Sequence, residues 1–236
     1  MLARPRSADP YRDLDVIDAR APRFNQTVIG LGSLIAIVTG WWPILALLAI
    51  QLGVGLRFGR RYCLPCVAYF TFVQPRVGEG PIEDSRPPRF ANQVGFVVLG
   101  AASISYVAGL TLLGVALGGL VATLALLAAM TGFCLGCEIY KVSAKVLGIR
   151  SRRLDRIDLR DLGVTDRPTG ELVVSFGHPL CTDCQAFETE VRTAGRRLVS
   201  VDVRSNRSLA RKYGIALVPT AVAVAPDGRV TARLAG

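Results

Sequence analysis

Two long stretches of the chain carry no charged side chain. Residues 27–56 contain no Asp, Glu, Lys or Arg, and neither do residues 93–137. One membrane-crossing helix takes about 20 predominantly apolar residues. The second stretch is therefore long enough for two crossings, and the first predicts either two helices or one tilted helix. The two stretches are framed alike. The first is entered through APRFNQ (21–26) and left through YCLPCVAY (62–69); the second is entered through PPRFANQ (87–93) and left through FCLGCEIY (133–140). Each copy reads Pro-Arg-Phe, Asn-Gln, an apolar run, then Cys-Leu-x-Cys-x-x-Tyr, with about 40 to 45 residues from Arg-Phe to the first cysteine. That length is one helical hairpin, two helices of roughly 18–20 residues and a tight turn. In the first copy the turn is predicted at TGWWPI (39–44), where Gly40 ends one helix, Pro43 opens the next and two Trp suit a membrane interface. In the second copy it is predicted near LGVALGG (113–119).

The remaining pattern is mixed. CLPCVAYFTFV (63–73) is apolar but too short to cross a bilayer, and reads as an interfacial or re-entrant helix that starts at Cys63 with Pro65 in its first turn. EIYKVSAKVLGI (138–149) reads as a helix with Ile139, Val142, Val146 and Ile149 on one face. Beyond residue 167 the period changes. ELVVSF (171–176) and RLVSVDV (197–203) read as strands, separated by a helix over 181–195. A short helix (206–215) follows, and then a hairpin of 218–225 and 228–236 turning at Pro226-Asp227-Gly228. The predicted organisation is a polar N-terminal tail (1–17), a membrane domain with two hairpin repeats (18–149), a basic linker (150–167) and a small α/β domain (168–236).

Composition sharpens this picture. The hydrophobic fraction is 51% and the mean hydropathy +0.40, high for a soluble protein. The first 26 residues carry Arg and Asp throughout, so no signal peptide is read there. The net charge of +10 flanks the apolar runs and forms no single stripe: Arg20 and Arg23 precede the first, and Arg57, Arg60 and Arg61 follow it. Arg86 and Arg89 precede the second, and Lys141, Lys145, Arg150, Arg152 and Arg153 follow it. This distribution argues against nucleic-acid binding and for cytoplasmic membrane flanks. A hairpin returns to the side it left. Four crossings in a cell membrane are expected, with both termini and all cysteine motifs cytoplasmic; three crossings follow if residues 27–56 form one helix.

The chemistry lies in the cysteines. All six fall into Cys-x-x-Cys pairs: Cys63/Cys66, Cys134/Cys137 and Cys181/Cys184. In a cytosolic setting such spacing points to redox or metal chemistry more than to static bridges. Three readings apply to the membrane pairs. They exchange disulfides, or Cys63, Cys66, Cys134 and Cys137 together hold zinc or iron, or they are small residues that pack helix ends. Cys181 is placed at a helix start, where free amides favour a thiolate; Cys184, one turn on, is read as the more buried partner. His178 is the chain's one histidine, three residues before Cys181. It reads either as a group that lowers the Cys181 pKa or as an exposed loop residue. Gly30, Gly32, Gly53, Gly109 and Gly118 read as close helix contacts.

Two resemblances add to this. The features Cys181-Thr182-Asp183-Cys184, Asp202 closing VSVDV, and Val218-Pro219-Thr220 make residues 168–236 resemble the thioredoxin family. The resemblance implies Cys181 as the attacking sulfur, Cys184 as the resolving one, and Pro219 as a cis-proline facing the pair. The chain departs from that family at Leu180, where the family has a Trp, and at Ser175, where the family has a buried acid. It is also shortened, with the leading strand and helix weak or missing and no last helix. Residues of about 18–147, through PRFNQ, PPRFANQ, CLPC and FCLGCEIY, resemble domain-of-unknown-function family 4395, which implies an integral membrane domain with no assigned activity. A fainter likeness is to membrane thiol oxidoreductases of the vitamin K epoxide reductase type, whose quinone chemistry the cytoplasmic topology does not carry over. The expected fold class is thus an α-helical integral membrane domain followed by a truncated thioredoxin-like α/β domain. The expected function is a membrane-bound thiol–disulfide oxidoreductase working with the lipid bilayer and a cytosolic thiol reductant or disulfide-bearing protein, without a cofactor. A sulfur-species transporter and a metal-stabilised scaffold are the alternatives.

Overall fold

The computed structural model describes residues 8–150, 154–164 and 170–235. The chain is mostly helical, with a C-terminal α/β sheet region, and two of its helices are long and apolar enough to cross a membrane. It divides into two compact units: Asp9–Pro81 with Ser85–Tyr140, and Ile82–Asp84 with residues 141–235.

The first unit begins with a short strand β1 (Val16–Asp18) and is built on two helical hairpins, α1 (Arg20–Thr39) with α2 (Pro43–Phe58), and α5 (Arg86–Val107) with α6 (Thr111–Thr131). The two membrane-length helices are α5 and α6; α2 is apolar but shorter. Between the hairpins, α3 (Leu64–Ala68) runs through a π-helical turn (Tyr69–Val73) into α4 (Gln74–Val77). Helix α1 packs on α6 and α2 packs on α5, while each hairpin also packs internally. Exchanging the two hairpins leaves that pattern unchanged, as a pseudo-two-fold axis requires.

The repeat motifs meet inside this arrangement. Phe24 lies 5.9 Å from Tyr69 at 47°, and Phe90 lies 5.6 Å from Tyr140 at 44°. Each Pro-Arg-Phe thus closes on the tyrosine of its own Cys-Leu-x-Cys-x-x-Tyr. The arginines reach across to the other copy. Arg89 donates to the Leu56 carbonyl near the end of α2 (3.5 Å), and Arg23 lies against Gly132 at the end of α6. Both place a cation where a helix presents unpaired carbonyls.

The first hairpin turns where the sequence places it, on left-handed Gly40 with Pro43 opening α2. The second does not. Its turn is Ala108–Leu110, centred on Gly109 (φ 77°), and the predicted 113–119 run lies inside α6. The glycines of that run are contact points. A Cβ on Gly114 would meet the Tyr106 ring at 2.5 Å, and one on Gly118 would meet Leu45 at 3.2 Å. Gly30 is tighter against backbone, since its Cβ would sit 2.7 Å from Leu126 Cγ and 3.1 Å from Leu126 N. Gly30→Ala is expected to lower unfolding stability in detergent by about 1–3 kcal/mol through forced separation of α1 and α6. Gly100→Ala, with open space around it, should be neutral or stabilising. Equal effects at the two sites would refute the contact.

Residues 9–17, read from sequence as part of a polar tail, are held in place. The Arg60 guanidinium donates to the carbonyls of Pro10 (3.2 Å), Asp13 (3.4 Å), Leu14 (3.0 Å) and Val16 (2.7 Å). Burial lowers its pKa to about 10, so this arginine is a structural clamp as well as a flanking charge. Asp18 is buried, 2% exposed. It accepts from Arg20 N (2.9 Å) on one oxygen, and from Tyr69 Oη (3.0 Å), Gln74 Nε2 (3.2 Å) and Gly80 N (3.0 Å) on the other.

The division between the units falls within α7 (Leu135–Arg150). Ile139, Val142 and Val146 are exposed along it; the side chain of Ile149, the fourth member of that predicted face, lies outside the described residues, as do Arg152, Arg153 and residues 165–169. The second unit contains β2 (Ile82–Asp84) and a four-stranded sheet of order β4-β3-β5-β6, from β3 (Leu172–Gly177), β4 (Leu198–Asp202), β5 (Thr220–Val224) and β6 (Val230–Ala235). Strand β3 is parallel to β4 and antiparallel to β5, which forms a hairpin with β6. Helix α8 (Thr182–Thr193) joins β3 to β4, and the short α9 (Arg207–Lys212) precedes β5. Every residue of β3 is buried. Leu172, Val174 and Phe176 point into a core with Val222, Val224, Tyr213, Leu154 and Ile157. Residues 154–164, read as linker, belong to this unit. Ile157 N donates to the Gly228 carbonyl (2.8 Å) and Val230 N to that of Asp155 (2.9 Å). Apolar Leu154 and Ile157 explain the difference, because the basic residues around them masked two core positions.

Candidate functional site

Each cysteine pair opens a helix. Cys63 is the N-terminal cap of α3 (φ −86°, ψ 103°), Cys181 caps α8 in the same extended conformation (φ −74°, ψ 120°), and Cys134 directly precedes α7. The backbone N–H of Cys184 donates to Cys181 Sγ (3.2 Å) and that of Cys137 to Cys134 Sγ (3.3 Å). The first sulfur of each of these two pairs therefore faces the free amides of a helix start, where negative charge is favoured. Cys134 and Cys137 do not continue the preceding apolar helix: α6 ends at Thr131, and left-handed Gly132 turns the chain before α7. Cys63–Cys66 and Cys181–Cys184 are disulfides; Cys134 and Cys137 form no disulfide and are reduced thiols. Among the described residues, no group of three or more Cys, His, Asp or Glu side chains is gathered as a metal site.

The Cys134 pKa is lowered to about 6. The largest cause is the hydrogen bond from the Cys137 thiol; burial opposes it, and the amides of Cys137 and Gly136 and the side chain of Gln26 assist. Close approach at this motif is real. A Cβ on Gly136 would lie 2.9 Å from Ala91 Cβ, so α7 starts in contact with the start of α5.

Around Cys181 the geometry departs from expectation in two respects. Cys181 is 1% exposed and Cys184 2%, so the first sulfur is not the more accessible one. Strand β2 lies over the start of α8, with Ile82 N donating to Thr182 Oγ1 (2.9 Å) and Val218 N donating to Asp84 Oδ2 (3.3 Å). His178, read as an exposed loop residue in one of its two readings, is 3% exposed. Its Nδ1 accepts from Leu180 N (3.2 Å), and its carbonyl accepts from Cys181 N (3.0 Å). It shapes the turn that delivers Cys181 to the helix start. The Val218–Pro219 peptide bond is cis, and Ser175 is fully buried in β3.

Sequence reasoning missed Glu188. The point that a Cβ on Gly177 would occupy lies 3.5 Å from Cys184 Sγ and 3.7 Å from Glu188 Oε1. Glu188 is four residues after Cys184, hence on the same face of α8, and Ser200 donates to its Oε1 (2.5 Å). That helical spacing was the signal available in the sequence.

A family model described as Domain of unknown function (DUF4395) matches residues 17–145, more than half of the chain. The chain belongs to the DUF4395 family. The matched region begins in β1, contains both hairpins and both repeat motifs, and ends inside α7. The Cys181–Cys184 pair and the sheet lie beyond the DUF4395 match. No curated protein and no solved structure matches the chain.

Proposed function

We propose that this DUF4395 protein is a membrane-bound thiol–disulfide oxidoreductase whose exchange centre is Cys181–Cys184, carried on a thioredoxin-like unit. The observation that carries this reading is the position of Cys181. It leaves the buried strand β3 and caps α8, with its sulfur on the Cys184 amide. A thiolate, not a thiol, attacks a disulfide. The strand order β4-β3-β5-β6, with α8 entered through Cys-x-x-Cys and Pro219 just before β5, supports the same family likeness.

In the reducing direction, the Cys181 thiolate attacks one sulfur of a partner disulfide, and the partner's other sulfur leaves as a thiolate. Cys184, deprotonated towards Glu188, then attacks Cys181 Sγ and releases the second partner sulfur. The partner gains two electrons and the pair closes to the disulfide. Strand β2 covers this approach and has to yield to a partner chain. In the proposed topology the membrane domain crosses the bilayer four times, with both turns on one side and the cysteine motifs on the cytoplasmic side. Outward-facing Leu31, Leu34, Ile35 and Val38 on α1, and Leu47 and Ile50 on α2, support lipid contact for the first hairpin. The proposed partners of the exchange are the membrane-domain pairs Cys63/Cys66 and Cys134/Cys137 or a cytosolic thiol protein.

The test is trapping. Full-length Cys184→Ser in membranes, challenged with oxidant, is expected to accumulate a mixed disulfide through Cys181 that dithiothreitol releases and that Cys181→Ser/Cys184→Ser lacks. No adduct at Cys181 under that challenge refutes the reading.

A further inference from the structure

Within the first unit a cavity of about 340 Å³ opens against the Cys63–Cys66 disulfide, walled by the ends of α1, α2 and α5. Its polar lining is built from the repeat. Asn25 Nδ2 donates to Asn92 Oδ1 (3.3 Å), which joins the matching Asn-Gln motifs of the two copies. This leaves Asn25 Oδ1, on a residue 3% exposed, as a buried acceptor without a partner among the described residues. The Gln51 Nε2 donor, also in the lining, is likewise buried without a partner among the described residues. A buried polar atom left unpaired costs about 1–3 kcal/mol, and two of opposite hydrogen-bonding character on one cavity describe a ligand that both accepts and donates. Among the described residues the charged lining side chains are Arg57, Arg60 and Arg89, with no Asp or Glu beside them. Arg60 directs its guanidinium to the 10–16 carbonyls, whereas the Arg89 guanidinium, among the described residues, reaches the Leu56 carbonyl alone, at 3.5 Å. The ligand class is therefore anionic. Cys63 and Cys66 also line the cavity, and the ordinary reactant of a disulfide is a thiolate.

We propose that this cavity binds a small anionic thiol and passes its electrons to the Cys63–Cys66 disulfide. Arg89 holds the anionic group, Gln51 donates to it or to a neighbouring carbonyl, and Asn25 accepts from a ligand N–H or O–H. One bound thiolate attacks a sulfur of the disulfide, forming a mixed disulfide, and the other cysteine leaves as a thiolate. A second thiol molecule attacks the ligand sulfur of that mixed disulfide and departs with it as a small-molecule disulfide. Two small thiols are oxidised, two electrons reduce the pair, and the two thiol protons end on Cys63 and Cys66. The proposal rests on Cys63–Cys66 being a working redox pair in the exchange described above, with this cavity as the port through which reducing equivalents enter or leave.

The test uses full-length chain in neutral detergent with Cys134, Cys137, Cys181 and Cys184 all changed to Ser, so that Cys63–Cys66 is the one disulfide. Its reduction by 3-mercaptopropionate (anionic), 2-mercaptoethanol (neutral) and cysteamine (cationic) is followed by mass spectrometry of alkylated thiols at low salt. Each rate is divided by that of the same thiol with a neutral linear disulfide, which removes intrinsic reactivity. The expected order is anion, neutral, cation, spanning at least about tenfold. The anion should saturate and should be inhibited by unreactive 3-(methylthio)propionate. Gln51→Leu/Arg89→Gln should abolish saturation and collapse the order. If that variant does not fold, competition on the unaltered cavity decides alone. An equal or faster cationic rate, no competition, or an unchanged order in the folded variant each overturns the proposal. Because Cys181 and Cys184 are absent from this chain, failure here leaves the trapping result untouched, and failure to trap leaves this one untouched.

Discussion

Asp18→Ala is expected to lower the unfolding free energy of the protein by about 3 kcal/mol, measured by denaturant titration in detergent and read as loss of helical signal. The carboxylate is buried and accepts four hydrogen bonds, from Arg20 N, Tyr69 Oη, Gln74 Nε2 and Gly80 N. Removing it strands donors from three separate segments, and each buried donor left unpaired costs about 1–3 kcal/mol. Solvent reaching the Gly80 and Gln74 donors offsets part of that sum, since both bonds are only partly buried. Tyr69 gives an independent reading. Its pKa is raised, first by burial and then by the Asp18 charge and hydrogen bond. Losing the carboxylate should bring the phenol part of the way back, while burial keeps it above its ordinary value. Asp18→Asn keeps one acceptor oxygen and should cost less. A loss under about 1 kcal/mol in the alanine variant would mean that Asp18 does not hold β1, the π-helical turn and the 80-region together.

How far the sequence carried this picture depends on what kind of residue wrote each signal. The repeat was legible because its markers are rare: Pro-Arg-Phe and Cys-Leu-x-Cys-x-x-Tyr recur, and the structure pairs Phe24 with Tyr69 and Phe90 with Tyr140. The turn at Gly40 was legible because Pro43 follows it. The second turn was misplaced because glycine has two uses. In 113–119 it thins a helix for Tyr106 and Leu45, whereas Gly109, just before α6, takes the left-handed conformation that turns the second hairpin. The cysteine pairs were visible as spacing, yet their states were not: two close as disulfides and one stays reduced. Burial of Cys181 was invisible because β2 comes from residues about a hundred positions away. The cavity was equally hidden. Gln51 sits in an apolar run with no motif around it, and the Asn25–Asn92 bond exists only once the two copies pack.

Iodoacetamide should label Cys134 with a rate that rises through a midpoint near pH 6 and is flat above about pH 7, in contrast to the ordinary thiol value of 9.0. Cys134 lies beyond the end of α6, where its sulfur accepts from the Cys137 thiol and from the Cys137 amide at 3.3 Å. The sign follows from the causes. Hydrogen bonds to the thiolate favour it and burial disfavours it, and here the hydrogen bonds win, so the folded pKa falls below the unfolded one. The stabilisation this lends to the fold is present above the unfolded thiol pKa and is lost as pH drops through about 6. The plateau rate will be modest, because nucleophilicity declines with pKa; the midpoint, not the rate, carries the test. Cys137→Ala removes the largest cause and should move the midpoint most of the way back up. Gln26→Leu, a lesser cause, should move it less. Labelling is read by mass spectrometry of the peptide containing Cys134, with Cys134→Ser as the blank. A midpoint at or above about pH 8 in the unaltered protein would mean that Cys134 is not held as a thiolate at neutral pH. The pair at the second repeat would then be the reduced but unreactive counterpart of Cys63–Cys66, and the exchange chemistry proposed for the hairpin unit would run through the first repeat alone.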